Sequence, residues 1–307
     1  MKILVTGGNG LLGRAIQSID TKNFEMIYID SKTCDLRDYE STLQVLKKIQ
    51  PDYIIHLAAN VGGLYKNMTQ SVSMLEDNVL INLNVLKCAH QCDVQNIVSV
   101  LSTCIFPDKT TYPINETMLH NGPPHYSNEE YAYAKRLLEI QCKAYKKQYN
   151  RNYFCVIPTN IYGKHDNFSL LDGHVIPALI HKAYLAKQEN KPLIISGSGT
   201  SLRQFIYSED LAKLLLKLVT ESKHNDTIIL SVSEKEEISI EKVAQIICNY
   251  FNMSYTFDVS QSDGQYKKTA DNTLLRKKYP EFTFIDIEQG IKLTIDWFIQ
   301  NFNIVRK

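Results

Sequence analysis

The first thirteen residues constrain the fold more than any other stretch. Ile3-Leu-Val-Thr6 is an apolar run rich in strand formers, and Gly7-Gly-Asn-Gly-Leu-Leu-Gly13 follows it at once with a GxxGxxG spacing. A strand that ends in a glycine turn and opens a helix lets the backbone approach a pyrophosphate closely, and the helix amino terminus supplies partial positive charge there. The spacing alone is common, and its place immediately after a strand makes it informative. Gly7, Gly8, Asn9, Gly10, Leu11, Leu12 and Gly13 are therefore candidate cofactor-binding residues.

Five further apolar runs recur along the chain: 26–29, 53–57, 97–101, 154–157 and 228–232. Segments of helical period lie between them, near 11–19, 38–49, 73–92, 129–149 and 208–221. This alternation predicts an α/β chain built on a doubly wound, Rossmann-type parallel sheet. From about 161 the rhythm breaks, which predicts a smaller substrate-binding lobe of 161–202 plus 233–307. The dinucleotide-binding domain is then 1–160 plus 203–232, the latter read as strand, helix and strand returning to the first sheet. The substrate is expected between the lobes, beyond the carboxyl ends of the strands.

Asp30 ends the second strand, where a carboxylate commonly accepts a bond from a ribose 2′-hydroxyl and favours NAD. Lys32, two residues on, could instead pair with the 2′-phosphate of NADP, so both cofactors stay open at this point. Asp35, with Leu36 beside it, is a candidate acceptor for the adenine amino group, or else a helix cap. In His56-Leu-Ala-Ala59 the small residues permit close passage of a cofactor, and His56 itself reads as structural.

Tyr131 and Lys135 lie four residues apart on a strong helical segment, hence on one face. A nearby ammonium favours the phenolate, so the pair can exchange a proton with a carbonyl undergoing reduction. Tyr133 has no such partner and faces elsewhere. Ser102 directly follows a strand, where its hydroxyl could bond the same substrate oxygen or merely cap the next turn. Cys104 is unusual, because a simple reductase needs no thiol there. A thiolate could remove an acidic proton beside a ketone, and His174 could return one from the other side. The bland readings are a buried small hydrophobe and a structural histidine.

Composition excludes several classes. The 307 residues carry a net charge of +1 with no run of five like charges, so no broad nucleic-acid footprint is present. Seven cysteines without a CxxC read as reduced thiols, and no metal is expected. The passage from Met1 straight into a strand, and the lack of any apolar run of roughly 18 residues, predict a cytoplasmic protein that does not enter a membrane.

Beyond these general features, the chain resembles the GDP-L-fucose synthase family of extended short-chain dehydrogenases over essentially its whole length. The specific likenesses are His56-Leu-Ala-Ala-Asn-Val-Gly-Gly63, Leu101-Ser-Thr-Cys-Ile-Phe-Pro107, Pro158-Thr-Asn-Ile-Tyr-Gly163, His165-Asp-Asn-Phe168, His174-Val-Ile-Pro177 and Ser262-Asp-Gly264. The resemblance implies 3,5-epimerisation of GDP-4-keto-6-deoxy-D-mannose followed by NADPH-dependent 4-reduction, in one site. It makes Cys104 the base and His174 the acid, with Ser102, Tyr131 and Lys135 serving the oxyanion and the later proton transfer. It sets Pro158, Thr159, Asn160 and Ile161 beside the nicotinamide, with Lys135 and His174 also reaching the NADP(H). Lys182, Arg203 and Asp263 match positions that contact GDP, and a homodimer through the helix bearing Tyr131 and the one before it is implied. Asp30 and Ser196 depart from the family, Ser196 standing where a Trp is common in the sugar-nucleotide pocket. Two other readings share the glycine turn and the Tyr131/Lys135 pair: a nucleotide-sugar 4-epimerase or 4,6-dehydratase, and a nonenzymatic NAD(P)-binding sensor.

Overall fold

The computed structural model describes residues 1–221, 227–260 and 265–307. The first half runs β1 (Lys2–Thr6), α1 (Leu11–Gln17), β2 (Glu25–Ile29), α2 (Tyr39–Ile49), β3 (Tyr53–His56), α3 (Leu64–Thr69), α4 (Ser71–Gln91) and β4 (Asn96–Val100). Next come α5 (Glu129–Tyr149), β5 (Asn152–Pro158), β6 (Asn160–Tyr162), α6 (Val175–Gln188), β7 (Leu193–Ser196), β8 (Leu202–Arg203), β9 (Phe205–Tyr207) and α7 (Ser208–Val219). The chain finishes with β10 (Ile228–Leu230), β11 (Ile238–Ser239), α8 (Ile240–Phe251), β12 (Tyr255–Asp258), α9 (Thr273–Lys278) and α10 (Ile287–Gln300).

Six strands form one parallel sheet in the order β10-β5-β4-β3-β1-β2. β3 is buried throughout and β1 and β4 nearly so, which is why these strands are continuous apolar runs rather than alternating ones. Leu4, Ile54, Ile97 and Cys155 pack on one face, while Ile3, Val5, Ile55, Val98 and Val156 pack on the other. The strand order reverses between β1 and β3. That crevice, at the carboxyl ends, is where a doubly wound sheet receives its ligand.

Local chemistry sets the helix boundaries. Asp38 caps α2 by accepting from Ser41 N at 2.7 Å, and Asn150 ends α5 in the left-handed region with φ 54°. A second core, separate from the two faces of the sheet, joins α6, α8 and α10 through Ile176, Ile180, Val243, Ile247, Ile295 and Phe298.

The segment 203–232 returns to the main sheet only in part. β8 pairs antiparallel with β11 and β9 pairs with β6, both outside the central sheet, and only β10 joins β5. β9 alternates across a junction: Ile206 packs against the sheet, whereas Phe205 and Tyr207 face the second core. Gln204, fully buried just before it, bonds Val232 O at 3.0 Å and Ala270 N at 2.7 Å, tying distant segments together. Strands of two or three residues are too short to show a period, which explains the difference.

Candidate active site

The glycine turn has the geometry of an anion cradle. Gly7 adopts φ +70°, and a Cβ there would stand 2.9 Å from Ala58 N, so the turn presses directly on the segment after β3. Gly13 lies inside α1, and its missing Cβ allows Gly8 O to approach to 2.4 Å of where that atom would be. Gly10 caps α1 without any side-chain bond, leaving amides at this helix end for a ligand. Leu12 is buried in the core and anchors the helix, while Leu11 is half-exposed at its start. His56 is structural: Thr6 Oγ1 lies 2.8 Å from Nδ1 and Asn82 Oδ1 lies 3.1 Å from Nε2. Burial pushes its pKa down to about 3.

Beyond β2, Asp30 and Lys32 share a turn. Asp35 does not cap a helix; its carboxylate pairs with the Arg37 guanidinium at 2.8 Å, and capping falls to Asp38. Leu36 is buried, and its carbonyl accepts from Asn84 Nδ2 at 3.0 Å. On the far side of the crevice Pro158 closes β5, and the buried Thr159 hydroxyl has no partner. Asn160 donates to Gln204 O at 2.9 Å, and Ile161 packs against the sheet core.

Four of the five catalytic candidates, Ser102, Cys104, Tyr131 and Lys135, meet at the end of β4. Lys135 is 3% exposed and donates to Val100 O at 2.8 Å. One residue on, Arg136 donates to Ile105 O at 2.7 Å. These two bonds straddle Ser102 and Cys104, so α5 is latched to the turn that carries them. The Lys135 ammonium sits 5.8 Å from the centre of the Tyr131 ring, whereas Tyr133 is 43% exposed and points away. Ser102 caps the short turn 103–105, its Oγ accepting from Cys104 N at 3.5 Å, so the capping geometry is realised beside the other candidates.

Desolvation dominates the electrostatics. It raises the Tyr131 phenol, contrary to the expectation that Lys135 would lower it, and it pushes Lys135 itself down to about 8. A phenol held neutral is in the protonation state that a proton donor needs. Burial also raises the Cys104 thiol, opposed by the charges of Lys268 and Lys135 and by the Ser102 hydroxyl. His174 is open to solvent yet set among protein atoms, as in a cleft, and that desolvation together with Arg306 lowers its pKa. An anionic ligand would act in the opposite sense. His174 stands at the N-cap position of α6 without a side-chain capping bond, and the loop before it is fixed by Gly63 N donating to Asp172 O at 2.9 Å.

Arg203 is held by backbone carbonyls, Gln265 O at 2.6 Å and Tyr266 O at 3.2 Å. This brings the segment 265–270 beside the turn that bears Cys104, and with it Lys268, whose charge acts on Cys104 and Arg203 and whose pKa burial lowers to about 8. Lys268 escaped the sequence reading because one of two adjacent lysines looks like ordinary surface charge; its nearness to Ser262-Asp-Gly264 was the available signal. Lys182 is half-buried on α6, and Ser196 is exposed at the end of β7 opposite Asp258. Asp263 lies outside the described residues. No group of three or more metal-ligating side chains occurs among the described residues, and no described helix is long and apolar enough to cross a membrane.

Residues 3–231 match the model of the NAD dependent epimerase/dehydratase family. The chain is similar to the GDP-L-fucose synthase of Dictyostelium discoideum, with 51% identity covering 99% of this chain and 97% of the relative. It is 44% identical to the probable GDP-L-fucose synthase of Drosophila melanogaster, covering 100% and 99% of the two chains. The crystal structure of a GDP-L-fucose synthetase from Naegleria fowleri bound to NADP superimposes with a TM-score of 0.94 at 45% identity, covering 100% of this chain and 95% of that one.

Proposed function

The chain belongs to the NAD dependent epimerase/dehydratase family, among its GDP-L-fucose synthases, and from that premise we propose that it converts GDP-4-keto-6-deoxy-D-mannose to GDP-L-fucose. The observation that carries the proposal is the latch of α5 onto β4, which sets Lys135 and Tyr131 beside Ser102 and Cys104. The residues present also fit NADP(H). The uncapped start of α1, the positive φ of Gly7 and the close approach at Gly13 form a cradle for a pyrophosphate, and Thr159 supplies an unpartnered hydroxyl across the crevice.

The 4-ketone acidifies C3 and C5. The Cys104 sulfur, its own proton having passed to solvent, takes the proton from C3, the electron pair moves onto the C4 oxygen, and His174, protonated from solvent, returns a proton to C3 on the opposite face as that pair moves back. Cys104 then gives up its proton to solvent and His174 takes one up, and the same exchange follows at C5. Ser102 donates a hydrogen bond to the C4 oxygen while it carries charge. When bound, NADPH supplies the hydride for C4. Tyr131 gives its phenolic proton to the C4 oxygen, and Lys135, fixed on Val100 O, stabilises the phenolate left behind. Arg203 and Lys268 offer cationic contacts to the diphosphate, Lys182 and Ser196 belong to the nucleotide pocket in this reading, and Asp263, outside the described residues, keeps the guanine contact that the family resemblance implies.

The division into a dinucleotide-binding domain and a nucleotide-sugar lobe is part of the proposal, supported by the separate core around α6, α8 and α10. So is a cytoplasmic setting, supported by seven free thiols. A second copy of the chain is the partner. Leu137 and Ile140 on α5 and Leu80 and Leu83 on α4 are each 42–51% exposed on two helices packed side by side, and such a stripe favours a homodimer.

A 4-epimerase would require neither Cys104 nor His174, and a binding-only sensor would require no latched Tyr131 and Lys135. The deciding experiment incubates the purified protein with GDP-4-keto-6-deoxy-mannose and either NADPH or NADH. Oxidation of NADPH with GDP-L-fucose as product is expected. Retention of both cofactors would favour a 4-epimerase, to be tried on a panel of UDP- and GDP-sugars, and NADP+ binding with no turnover of any of them would favour the sensor.

A further inference from the structure

Asp30 presents a conflict. A carboxylate at the tip of the second strand ordinarily selects NAD by bonding the ribose 2′-hydroxyl and repelling a 2′-phosphate. The structure gives this carboxylate other partners. Asn9, on the glycine turn itself, donates its amide to Oδ2. Oδ1 accepts from Lys32 N and Thr33 N, each at 3.0 Å, and from Thr33 Oγ1 at 3.2 Å. The Thr33 hydroxyl also accepts from Asp30 N at 2.8 Å, so the residue is gripped at backbone and side chain alike. Next to it Lys32 makes no ion pair among the described residues, and with Thr33, Ser41 and Gln44 it lines a pocket of about 260 Å³.

We propose that Asn9 and Thr33 govern cofactor choice through Asp30: by clasping its carboxylate against the turn they withdraw it from the ribose, so that Lys32 is the charge offered to a 2′-phosphate. The inference deepens the NADP(H) reading above and rests on it. Asn9 and Thr33 are positioning residues here. Released from the clasp, the carboxylate acts twice against NADP: it accepts a bond from the free 2′-hydroxyl of NAD, and it repels a phosphate carrying about −1.5 to −2 charges. The backbone bonds from Lys32 and Thr33 hold one oxygen only, so loss of the Asn9 amide frees the other.

The test is calorimetric titration of the purified full chain with NADP+ and with NAD+, in the absence of sugar substrate. Asn9→Ala is expected to lower the preference for NADP+ over NAD+ by about tenfold, the effect of gaining one charge-assisted bond with one ligand and one repulsion with the other. Thr33→Val should act in the same direction, and melting curves confirm that each variant is folded. In an Asp30→Ser background neither substitution should alter the ratio, because nothing remains to be withdrawn. An unchanged ratio in Asn9→Ala overturns the inference, as does an equal fall in the Asp30→Ser background, which would mean that Asn9 touches the phosphate directly. Wild-type protein that binds neither dinucleotide would overturn the cofactor reading as well, an outcome distinct from these two.

Discussion

Gly13→Ala tests the cradle where the geometry is tightest. The added Cβ would lie 2.4 Å from Gly8 O, 2.6 Å from Gly8 C and 2.7 Å from Gly7 O, all backbone atoms that cannot swing aside as a side chain would. Ordinary contact begins near 3.4 Å, so the turn and the helix must separate by about 1 Å. Gly8 N is bonded to Ile29 O at 2.8 Å and Gly7 abuts Ala58, so that movement distorts the turn rather than shifting it whole. Overpacking of this kind costs about 1–3 kcal/mol, and alanine returns roughly 1 kcal/mol through helix propensity. The protein should therefore stay folded, with melting lowered by only a few degrees, on the order of 2–4 °C per kcal/mol. Binding fares worse. Misplacing two amides that bond a phosphate removes about 3 kcal/mol or more, so NADP+ affinity should fall at least about a hundredfold. Titration calorimetry paired with a thermal melt measures both. Affinity within about threefold of wild type, in a folded variant, would refute the assignment of this turn to the pyrophosphate.

Four further outcomes are expected. Cys104→Ser should reduce solvent deuterium uptake at C3 by at least about a hundredfold while NADP+ still binds, because a hydroxyl is a far weaker base than a thiolate; undiminished uptake argues against the thiol. Tyr131→Phe should lose C4 reduction by a similar factor but keep the deuterium exchange, and full reduction by that variant contradicts its role. Asp166, buried with an unpartnered oxygen, is pushed up to about 7 from an ordinary 3.8, so the folded protein holds its proton more tightly than the unfolded chain does. Its stability contribution is full below pH 4 and is lost as pH rises toward and past 7; Asp166→Asn should gain on wild type by roughly 3 kcal/mol at most between pH 5 and 8, and a pH-independent difference counts against the account. Leu83→Glu with Ile140→Glu should convert a dimer to a monomer in light scattering, and an unchanged mass would remove α4 and α5 from the interface.

Much of the frame could be read from residues because the physics there is local. Strands buried on both faces must be continuous apolar runs, and β1, β3, β4 and β5 were visible for that reason. The glycine turn and the four-residue spacing of Tyr131 and Lys135 are likewise written in short segments. What stayed hidden depends on contacts between distant ones. β8 and β9 are too short to carry a pattern, and their partners are β11 and β6 rather than the main sheet. Lys268 reaches the catalytic turn on a segment that distant residues grip, Arg203 and Gln204 before and after it and Tyr112 at Lys267 O. Asp35 reads as an adenine contact or a helix cap in the sequence, and the cap falls to Asp38 while Asp35 pairs with Arg37, a choice that residue type alone does not show. The upward shift of Tyr131 follows from burial, which residue spacing cannot report.

The central claim is that one site moves protons at two carbons and then completes a reduction. Running the reaction in D2O with GDP-4-keto-6-deoxy-mannose and unlabelled NADPH, and reading the product by nuclear magnetic resonance, tests it most directly. The account predicts GDP-L-fucose carrying deuterium at both C3 and C5 and ordinary hydrogen at C4. A reduced sugar without deuterium at C3 and C5, retaining its original configuration there, would contradict it.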